Sequence, residues 1–297
     1  MIQAAMKSPP TNTIALTGIK PTGRIHLGNY LGSIRPALGL ASEYSAYYFI
    51  ADYHALTTVH DPQRLNRQIR EAAATWLAVG LNPEEAVFYR QSAVPEIFEL
   101  MWVLACVSAK GLLNRAHAYK AALDANLEAG KDADANVNAG LFNYPLLMAA
   151  DILSFQADLV PVGRDQRQHV EVARDIAAAF NRTFAHVFNL PQAAIGGDVQ
   201  KIAGLDGRKM SKSYGNEIPL MAEPDVVREL VMRIVTDSRR PEEPKDPDQC
   251  SVFTIYRHFA GEGDVARLRQ RYLAGGVAYR EVKESLADLL INRFAPA

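Results

Sequence analysis

Short apolar runs alternate with stretches of helical spacing through the first part of the chain. Residues 14–17, 47–51 and 86–89 are such runs, each with the length of a strand buried on both faces. Helical spacing separates them, from about residue 27 to 40 and again from residue 61 to 80. This alternation predicts an α/β fold with a doubly wound parallel sheet.

The stretch from residue 61 to 80 has the clearest helix signals. Asp61 can cap the helix, Pro62 suits its first position, and Gly80 follows its end. The spacing predicts one buried face made of Leu65, Ile69, Ala73, Trp76 and Leu77.

The middle of the chain continues the alternation. Residues 95–120 and 148–153 have helical patterns, whereas residues 124–138 are rich in Ala, Asp, Asn and Gly and predict a mobile loop. A short strand over residues 159–162 then ends at Gly163.

A second helix start follows Gly163. Asp165 and Gln168 resemble a capping box, and it opens a helix with Val172, Ile176 and Phe180 on one face. Ligands of open α/β sheets bind where strand ends meet helix starts, so we expect a ligand edge here.

Residues 218–297 lack strand signals and predict several helices, including 224–234 and 279–293. The chain therefore predicts an α/β domain over residues 1–217 and an all-helical domain over residues 218–297.

Composition narrows the class of protein. Hydrophobic residues make up 48% and charged residues 22% of the 297 positions, which is typical of an ordered globular protein. The formal charge of −1 gives no sign of a nucleic-acid partner, so any such contact would be local. We see neither a signal peptide nor an apolar run of the roughly 20 residues that a membrane helix needs, and predict a cytoplasmic protein without membrane contact.

Two cysteines are too few for a disulfide framework or for a four-cysteine zinc or iron–sulfur site. We therefore expect no metal site in the protein, and we expect Cys106 and Cys250 to be inert, half-buried thiols.

The first candidate for chemistry is the segment from Pro21 to Asn29. Gly28 lets a ligand approach the backbone, amide N–H groups at the helix start attract an anion, and His26 and Asn29 place two donors on one face. This would suit a triphosphate, although a lone histidine near a helix start is more often a structural group. The Gly-Lys-Ser/Thr ending of a Walker A loop is missing.

The second candidate is Lys209-Met210-Ser211-Lys212-Ser213, on a glycine-flanked stretch. Its two lysines can face a polyphosphate while the loop closes over it. A solvated surface loop is the alternative.

Together, residues 26–29 and 209–213 resemble the HIGH and KMSKS signatures of class I aminoacyl-tRNA synthetases. Residues 18–23, 51–57 and 144–153 are similar to the bacterial tryptophanyl-tRNA synthetases, as are residues 160–169. The resemblance extends from Thr13 along essentially the whole chain.

The resemblance implies a Rossmann-type catalytic domain over residues 1–217, with a helical insertion at about 92–145 for dimerisation, and an anticodon-side domain over residues 218–297. It implies activation of L-tryptophan with ATP and Mg²⁺, transfer to tRNA(Trp), and a homodimer. The implied catalytic residues are His26, Asn29, Lys120, Lys209 and Lys212. The implied ATP-binding residues are Lys20, Pro21, Thr22, Gly28, Asn29, Gly163, Arg164, Asp165, Gln166, Ile202, Lys209, Met210, Ser211, Lys212 and Ser213.

The resemblance also implies a tryptophan pocket. Asp151 would accept the indole N–H, Met148 and His54 would line the ring, and Tyr144 and Gln166 would hold the ammonium and carboxylate. A carboxylate on an apolar helix is costly to bury unless something donates to it, and an indole N–H is a donor only. Pairing of Asp151 with an internal arginine or tyrosine is the alternative.

Some residues depart from the family pattern or stay open. Lys20 stands where relatives have glutamine, and family members run some tens of residues further, so we expect a truncated C-terminus. Residues 95–120, with Phe98 and Trp102, are either a dimer interface or internal core. Four arginines are either tRNA contacts or a solvated face: Arg239, Arg240, Arg267 and Arg269.

Two other functions stay open. A tyrosyl-tRNA synthetase, or a paralogue that forms an adenylate for another acceptor, would use the same signatures. A non-catalytic regulator that binds tryptophan or a nucleotide would not need two lysines directed at pyrophosphate, and this argues against it.

Overall fold

Five parallel strands form the sheet that organises the first part of the chain. The computed structural model describes residues 11–163, 167–195 and 202–294. The strands are β1 (Thr11–Ile19), β2 (Tyr44–Ile50), β3 (Ala86–Arg90), β4 (Leu159–Val162) and β5 (Gln192–Ile195). Their order is β3-β2-β1-β4-β5, and every pairing is parallel. The predicted doubly wound sheet is confirmed, with its topological switch point between β1 and β4.

Helices connect the strands and form all regular structure after residue 218 in the part of the chain that the structure describes. A π-helical turn, Tyr30–Ile34, joins the first two helices. The helices are α1 (Leu27–Asn29), α2 (Arg35–Leu40), α3 (Asp52–Ala55), α4 (Pro62–Ala78), α5 (Glu96–Val107), α6 (Lys110–Leu113), α7 (His117–Glu128), α8 (Ala139–Ser154), α9 (Arg167–Thr183), α10 (Pro224–Met232), α11 (Ser251–Tyr256), α12 (Glu262–Ala274) and α13 (Tyr279–Phe294).

The chain packs into two compact units. The first contains residues 1–23 and 36–197, and the second contains residues 24–35 and 198–297. The sheet belongs to the first unit, and α10 to α13 belong to the second. The predicted functional division at residue 217 stays a prediction. None of the helices described is long and apolar enough to cross a membrane.

The core of the first unit is packed around the centre of the sheet. Leu16 on β1 and Phe49 on β2 are 2% and 6% exposed. A Cβ atom on Gly18 would lie 2.4 Å from the Phe49 ring, so glycine is needed where this ring crosses β1. Burial of such side chains on both faces explains why β1 and β2 have continuous apolar runs.

The capping prediction for α4 is confirmed, and its expected buried face is right in part, since Leu65, Ile69 and Ala73 are half-buried whereas Leu77 is exposed. Asp61 accepts the Arg64 N–H at 2.9 Å. Trp76 is fully buried and stacks with Phe88, which rotates the helix so that Leu77 is 47% exposed. The buried residues of α4 are Gln68, Ala72, Thr75 and Trp76.

The prediction of a loop over residues 124–138 is wrong for its first part, because α7 continues to Glu128. The remainder is tied to this helix by side chains. Asn126 donates to the carbonyl oxygens of Ala133 and Ala135 at 2.9 and 2.8 Å, and Tyr119 donates to Asp134 at 2.9 Å. The cysteine expectation is also wrong, since Cys106 is exposed and Cys250 is buried.

Candidate functional site

Residues 24–29 of the first candidate segment belong to the second unit, where His26 caps α1. The His26 Nδ1 atom accepts the Asn29 N–H at 3.3 Å, and Asn29 Oδ1 accepts the His26 N–H at 3.2 Å. The two side chains therefore satisfy each other's backbone groups in a reciprocal cap. Within the described part of the chain, no hydrogen bond occupies His26 Nε2 or Asn29 Nδ2, so each side chain keeps a donor atom.

The amide N–H groups at the start of α1 are already occupied. The Leu27 N–H donates to the Ile218 carbonyl at 2.9 Å, and the Gly28 N–H donates to Met210 Sδ at 3.3 Å. The expectation that these amides are free for an anion is therefore wrong for this conformation. A Cβ atom on Gly28 would lie 3.0 Å from the His26 ring and 3.4 Å from Met210, so the glycine permits the close approach of Met210.

Asn216 organises the second candidate segment, and it was missed by the sequence reasoning. This side chain is 3% exposed. Its amide nitrogen donates to Asp206 Oδ1 at 2.6 Å and to the Lys209 carbonyl at 3.2 Å, and its Oδ1 accepts the Ser211 N–H at 2.8 Å. Gly204 leaves room for it, since a Cβ atom there would lie 2.4 Å from the Asn216 amide. Nothing in a lone asparagine after the loop indicates such a contact.

Two further contacts fix the predicted ATP-binding residues of this loop. The Met210 N–H donates to the Ile202 carbonyl at 2.8 Å, and both residues are buried. Ser211 accepts the Ser213 N–H at 3.3 Å and so caps a short 3₁₀ turn over Lys212–Tyr214. Residues 209–213 are therefore a structured loop in which Met210 is buried while Lys209 and Ser213 are exposed, and its polyphosphate role stays a prediction.

The surroundings of His26 favour its neutral form. Burial and the nearby Lys212 cation lower the pKa of His26 to about 4. Because Nδ1 accepts the Asn29 N–H, the proton of neutral His26 is on Nε2. Burial also lowers the pKa of Lys212, and the Glu217 carboxylate opposes this effect.

The predicted tryptophan residues lie in the first unit, where α8 places Tyr144, Met148 and Asp151 on one face. Asp151 is 1% exposed. His54 Nε2 lies 2.9 Å from its Oδ2, and Gln91 Nε2 donates to Oδ1 at 2.8 Å and to Oδ2 at 3.0 Å. The partners are therefore a histidine and a glutamine, so the expected alternative of an arginine or tyrosine is wrong.

The ionisation of Asp151 is set by opposing effects. Burial raises the pKa of this carboxyl, whereas the hydrogen bonds from His54 and Gln91 lower it. An ionised carboxylate only accepts hydrogen bonds, so with Asp151 ionised both partners act as donors.

Gln91 was also missed by the sequence reasoning, although a signal existed. It follows β3 directly, at the carboxyl edge of the sheet where ligands of open α/β folds bind. The residue is fully buried, and polar side chains are rarely buried without a specific partner.

An open cavity of about 410 Å³ borders these residues, within the usual range of ligand pockets. His54 and Tyr144 line it, whereas Met148 and Asp151 do not. Its other lining residues are Tyr53, Leu56, Thr57, His60, Phe98, Met101, Asn138, Gly140, Asn143 and Leu147.

Lys20 is tied to the His54 segment. Its Nζ donates to Thr57 Oγ1 at 2.8 Å, and this hydroxyl donates to the His54 carbonyl at 2.8 Å. Burial lowers the pKa of Lys20. Pro21 and Thr22 follow in a turn closed by a 2.9 Å bond from the Thr22 N–H to the Lys20 carbonyl.

The remaining predicted residues lie on other segments of the first unit. The Tyr144 hydroxyl hydrogen-bonds to His169 Nε2 at 2.6 Å. Lys120 on α7 and Gly163 after β4 are exposed. Arg164, Asp165 and Gln166 lie outside the described residues, as does the cap predicted at Asp165. Within the described ranges, no group of three or more His, Cys, Asp or Glu residues could hold a metal ion.

The sheet is doubly wound, and its switch point between β1 and β4 is the kind of place at which ligands of open α/β folds bind. A family model, tRNA synthetases class I (W and Y), matches residues 8–295, and the chain belongs to this family.

Individual relatives carry a more specific name. The tryptophan–tRNA ligase of Pseudomonas aeruginosa is 56% identical over 290 residues, which are 96% of this chain and 64% of that protein. The chain therefore spans less than two thirds of the length of this relative. The Neisseria meningitidis tryptophan–tRNA ligase is 50% identical over 92% of this chain and 82% of its own length. The crystal structure of Campylobacter jejuni tryptophanyl-tRNA synthetase with ADP and tryptophan has a TM-score of 0.84 at 40% identity, covering 95% of this chain and 86% of that one.

Proposed function

We propose that the protein is a tryptophan–tRNA ligase. It activates L-tryptophan with ATP to tryptophanyl-adenylate and pyrophosphate, and then transfers tryptophan to the 3′ end of tRNA(Trp). One observation carries this proposal. The Asp151 carboxylate is buried on an apolar helix, and its hydrogen-bond partners His54 and Gln91 leave it as an acceptor, which is what a donor-only ring N–H requires. The named relatives support the same activity.

The chemistry needs no protein nucleophile. A tryptophan carboxylate oxygen attacks the α-phosphorus of ATP, and the bond to the pyrophosphate oxygen breaks. In the second step a ribose hydroxyl of the tRNA takes the acyl group, and AMP leaves. Catalysis then consists of positioning and charge stabilisation.

We assign the phosphates to the signature residues of the second unit. Neutral His26 offers its Nε2–H, and Asn29 offers its amide N–H, as donors to phosphate oxygens. Lys209 and Lys212 stabilise the departing pyrophosphate, and Lys120 contributes a further cation. The remaining proposed ATP contacts are Lys20, Pro21, Thr22, Gly28, Gly163, Arg164, Asp165, Gln166, Ile202, Met210, Ser211 and Ser213. Mg²⁺ enters with ATP as part of the substrate, bound mainly through phosphate oxygens.

We assign the amino acid to the first unit. Asp151 accepts the indole N–H, His54 and Met148 contact the ring, and Tyr144 and Gln166 hold the ammonium and carboxylate end. A pocket built around one such hydrogen bond can favour tryptophan over an amino acid whose ring has no donor by a factor of about 10⁴ to 10⁵, since an acceptor position of the buried carboxylate would otherwise be left unpaired.

The proposed function extends to the roles of the two domains and to the oligomeric state. Residues 1–217 form the catalytic domain and residues 218–297 the anticodon side, and the enzyme acts as a cytoplasmic homodimer. Two apolar side chains of α5 support the dimer, because Trp102 is 73% and Phe98 is 41% exposed. A second copy would cover this face.

Pyrophosphate exchange measured with tryptophan and tyrosine in parallel tests the proposed function. We expect exchange of labelled pyrophosphate into ATP with tryptophan alone. Exchange with tyrosine alone would identify a tyrosyl-tRNA synthetase instead. No exchange with either amino acid, despite tryptophan binding, would favour a regulator.

Arg240 is the best placed of the four candidate tRNA-binding arginines. Acidic groups engage the other three: Arg269 pairs with Asp248, Arg267 with Asp264 and Arg239 with Asp237. The Arg240 guanidinium is exposed and has no partner among the described residues.

Arg240→Glu is therefore expected to raise the KM for tRNA(Trp) about tenfold at moderate salt, because a phosphate contact becomes a repulsion. Pyrophosphate exchange should be unchanged. Arg280→Glu is the control, since Arg280 is exposed on α13 and paired with Glu284. Equal aminoacylation by both variants and the wild type would remove Arg240 from the tRNA surface.

A further inference from the structure

Gln91 occupies a position in which every polar atom of its side chain is used. Its Nε2 donates to both oxygens of Asp151, at 2.8 and 3.0 Å. Its Oε1 accepts the N–H groups of Tyr53 and His54, at 3.1 and 3.4 Å. These bonds fix the amide in one orientation, since the reverse would point N–H groups at N–H groups.

The hydrogen bonds from Gln91 and His54 use most of the acceptor positions of the Asp151 carboxylate. A carboxylate has about four lone-pair positions. Gln91 and His54 together fill three of them, two on Oδ2 and one on Oδ1. One acceptor position therefore remains, and it is on Oδ1.

We propose that Gln91 is a positioning residue for the amino-acid site, which orients the Asp151 carboxylate so that one Oδ1 lone pair is kept for the ring N–H of the substrate. The inference rests on the proposed function and extends it to a residue that touches no substrate. Gln91 also links the two sides of the site, because its Oε1 holds the backbone of His54 while its Nε2 holds Asp151.

The titratable groups around Asp151 define how the arrangement responds to pH. His54 and Asp52 face it from α3, and Tyr89 faces it from β3. Asp52 is occupied by Ser92, whose N–H lies 3.0 Å from Oδ1, and the Tyr89 hydroxyl has no hydrogen-bond partner among the described residues. Gln91 and His54 are therefore the two residues whose hydrogen bonds favour the ionised form of the Asp151 carboxyl.

Gln91→Glu tests the proposal, because it keeps the oxygen that accepts the Tyr53 and His54 amides and changes only the atom that faces Asp151. Two facing carboxylates repel, so the KM for tryptophan is expected to rise about 10- to 100-fold at pH 8 while the KM for ATP stays unchanged.

The pH profile distinguishes positioning from a merely structural role. In the wild type, tryptophan binding weakens as the pH falls, because protonation removes the Asp151 acceptor. In Gln91→Glu, the two carboxylates take up one shared proton as the pH falls, and the protonated group donates to the other. Tryptophan binding by this variant should therefore strengthen with falling pH over that range, the reverse of the wild type.

Gln156→Glu is the matched control in the same unit. Gln156 bridges the Val187 carbonyl and the Asn189 N–H, at 3.1 Å each, with the same use of both ends of its amide. This variant should keep the wild-type KM and pH profile. Gln91→Met is a second variant, with a neutral side chain. It should raise the KM for tryptophan without reversing the pH dependence of tryptophan binding, and it tests the positioning role if Gln91→Glu does not fold.

The experiments distinguish failure of the proposed function from failure of the positioning role of Gln91. Wild-type protein that supports no exchange with tryptophan would overturn the proposed function itself. A wild type active with tryptophan, combined with Gln91 variants that keep its tryptophan KM, would overturn the positioning role alone.

Discussion

Replacing Asp151 by asparagine is expected to raise the tryptophan KM in pyrophosphate exchange by at least about 100-fold. The variant keeps the size of the side chain but removes a charged acceptor, and hydrogen bonds to charged groups are the stronger kind. It also turns an N–H group toward the donors of Gln91 and His54, which lie 2.8 and 2.9 Å from the carboxylate. The KM for ATP should change little.

Asp158→Asn is the control for this experiment. Asp158 accepts the Ile14 N–H at 2.9 Å and an amide N–H of Asn189 at 3.3 Å, and it lines no part of the cavity. Its replacement should lower stability without changing the tryptophan KM. An Asp151→Asn enzyme with a wild-type tryptophan KM would remove Asp151 from the pocket.

Lys212→Ala is expected to lower the rate of adenylate formation by about 100- to 1,000-fold while tryptophan affinity stays near that of the wild type. The proposed role of the cation is to stabilise charge that develops on the departing pyrophosphate, so the loss appears in kcat. The same change removes a positive charge beside His26, and the pKa of His26 should rise from its value of about 4. Single-turnover adenylation and calorimetric tryptophan binding measure the two effects separately.

Lys283→Ala provides the comparison, because Lys283 also has a pKa lowered by burial and donates to the Met232 carbonyl at 3.0 Å. That variant should keep its adenylation rate. A fall in tryptophan affinity as large as the fall in rate would contradict a role of Lys212 in the transition state.

Much of the fold was predictable because its signals are local. Apolar runs gave β1 to β4, and Asp61 with Pro62 marked the start of α4. The strand β5 was missed because Gln192–Ile195 has only four residues, two of which are alanine, a residue that is depleted in strands. Leu77 was wrongly assigned to the buried face of α4, because the orientation of this helix depends on how Trp76 stacks against the sheet, a tertiary contact that overrides spacing.

The candidate site residues also fall into two groups, those that a local motif predicts and those that only folding brings to their partners. His26, Asn29 and residues 209–213 are recognisable from contiguous motifs. Gln91 and Asn216 are not, because their roles arise when folding brings them to partners. Gln91 is 60 positions from Asp151 in the sequence. Asn216 reaches back only 10 positions, but a polar residue after a loop gives no sign of which backbone groups it will bind.

The contact between Gly28 and Met210 makes binding at the start of α1 a competition. A phosphate that accepts the Gly28 N–H must first displace Met210 Sδ, which lies 3.3 Å from that nitrogen. Thioether sulfur is a weak acceptor, so an anion exchanges for it at little cost. Since Met210 stands between Lys209 and Ser211, a ligand that takes this amide also removes a contact between residues 209–213 and α1.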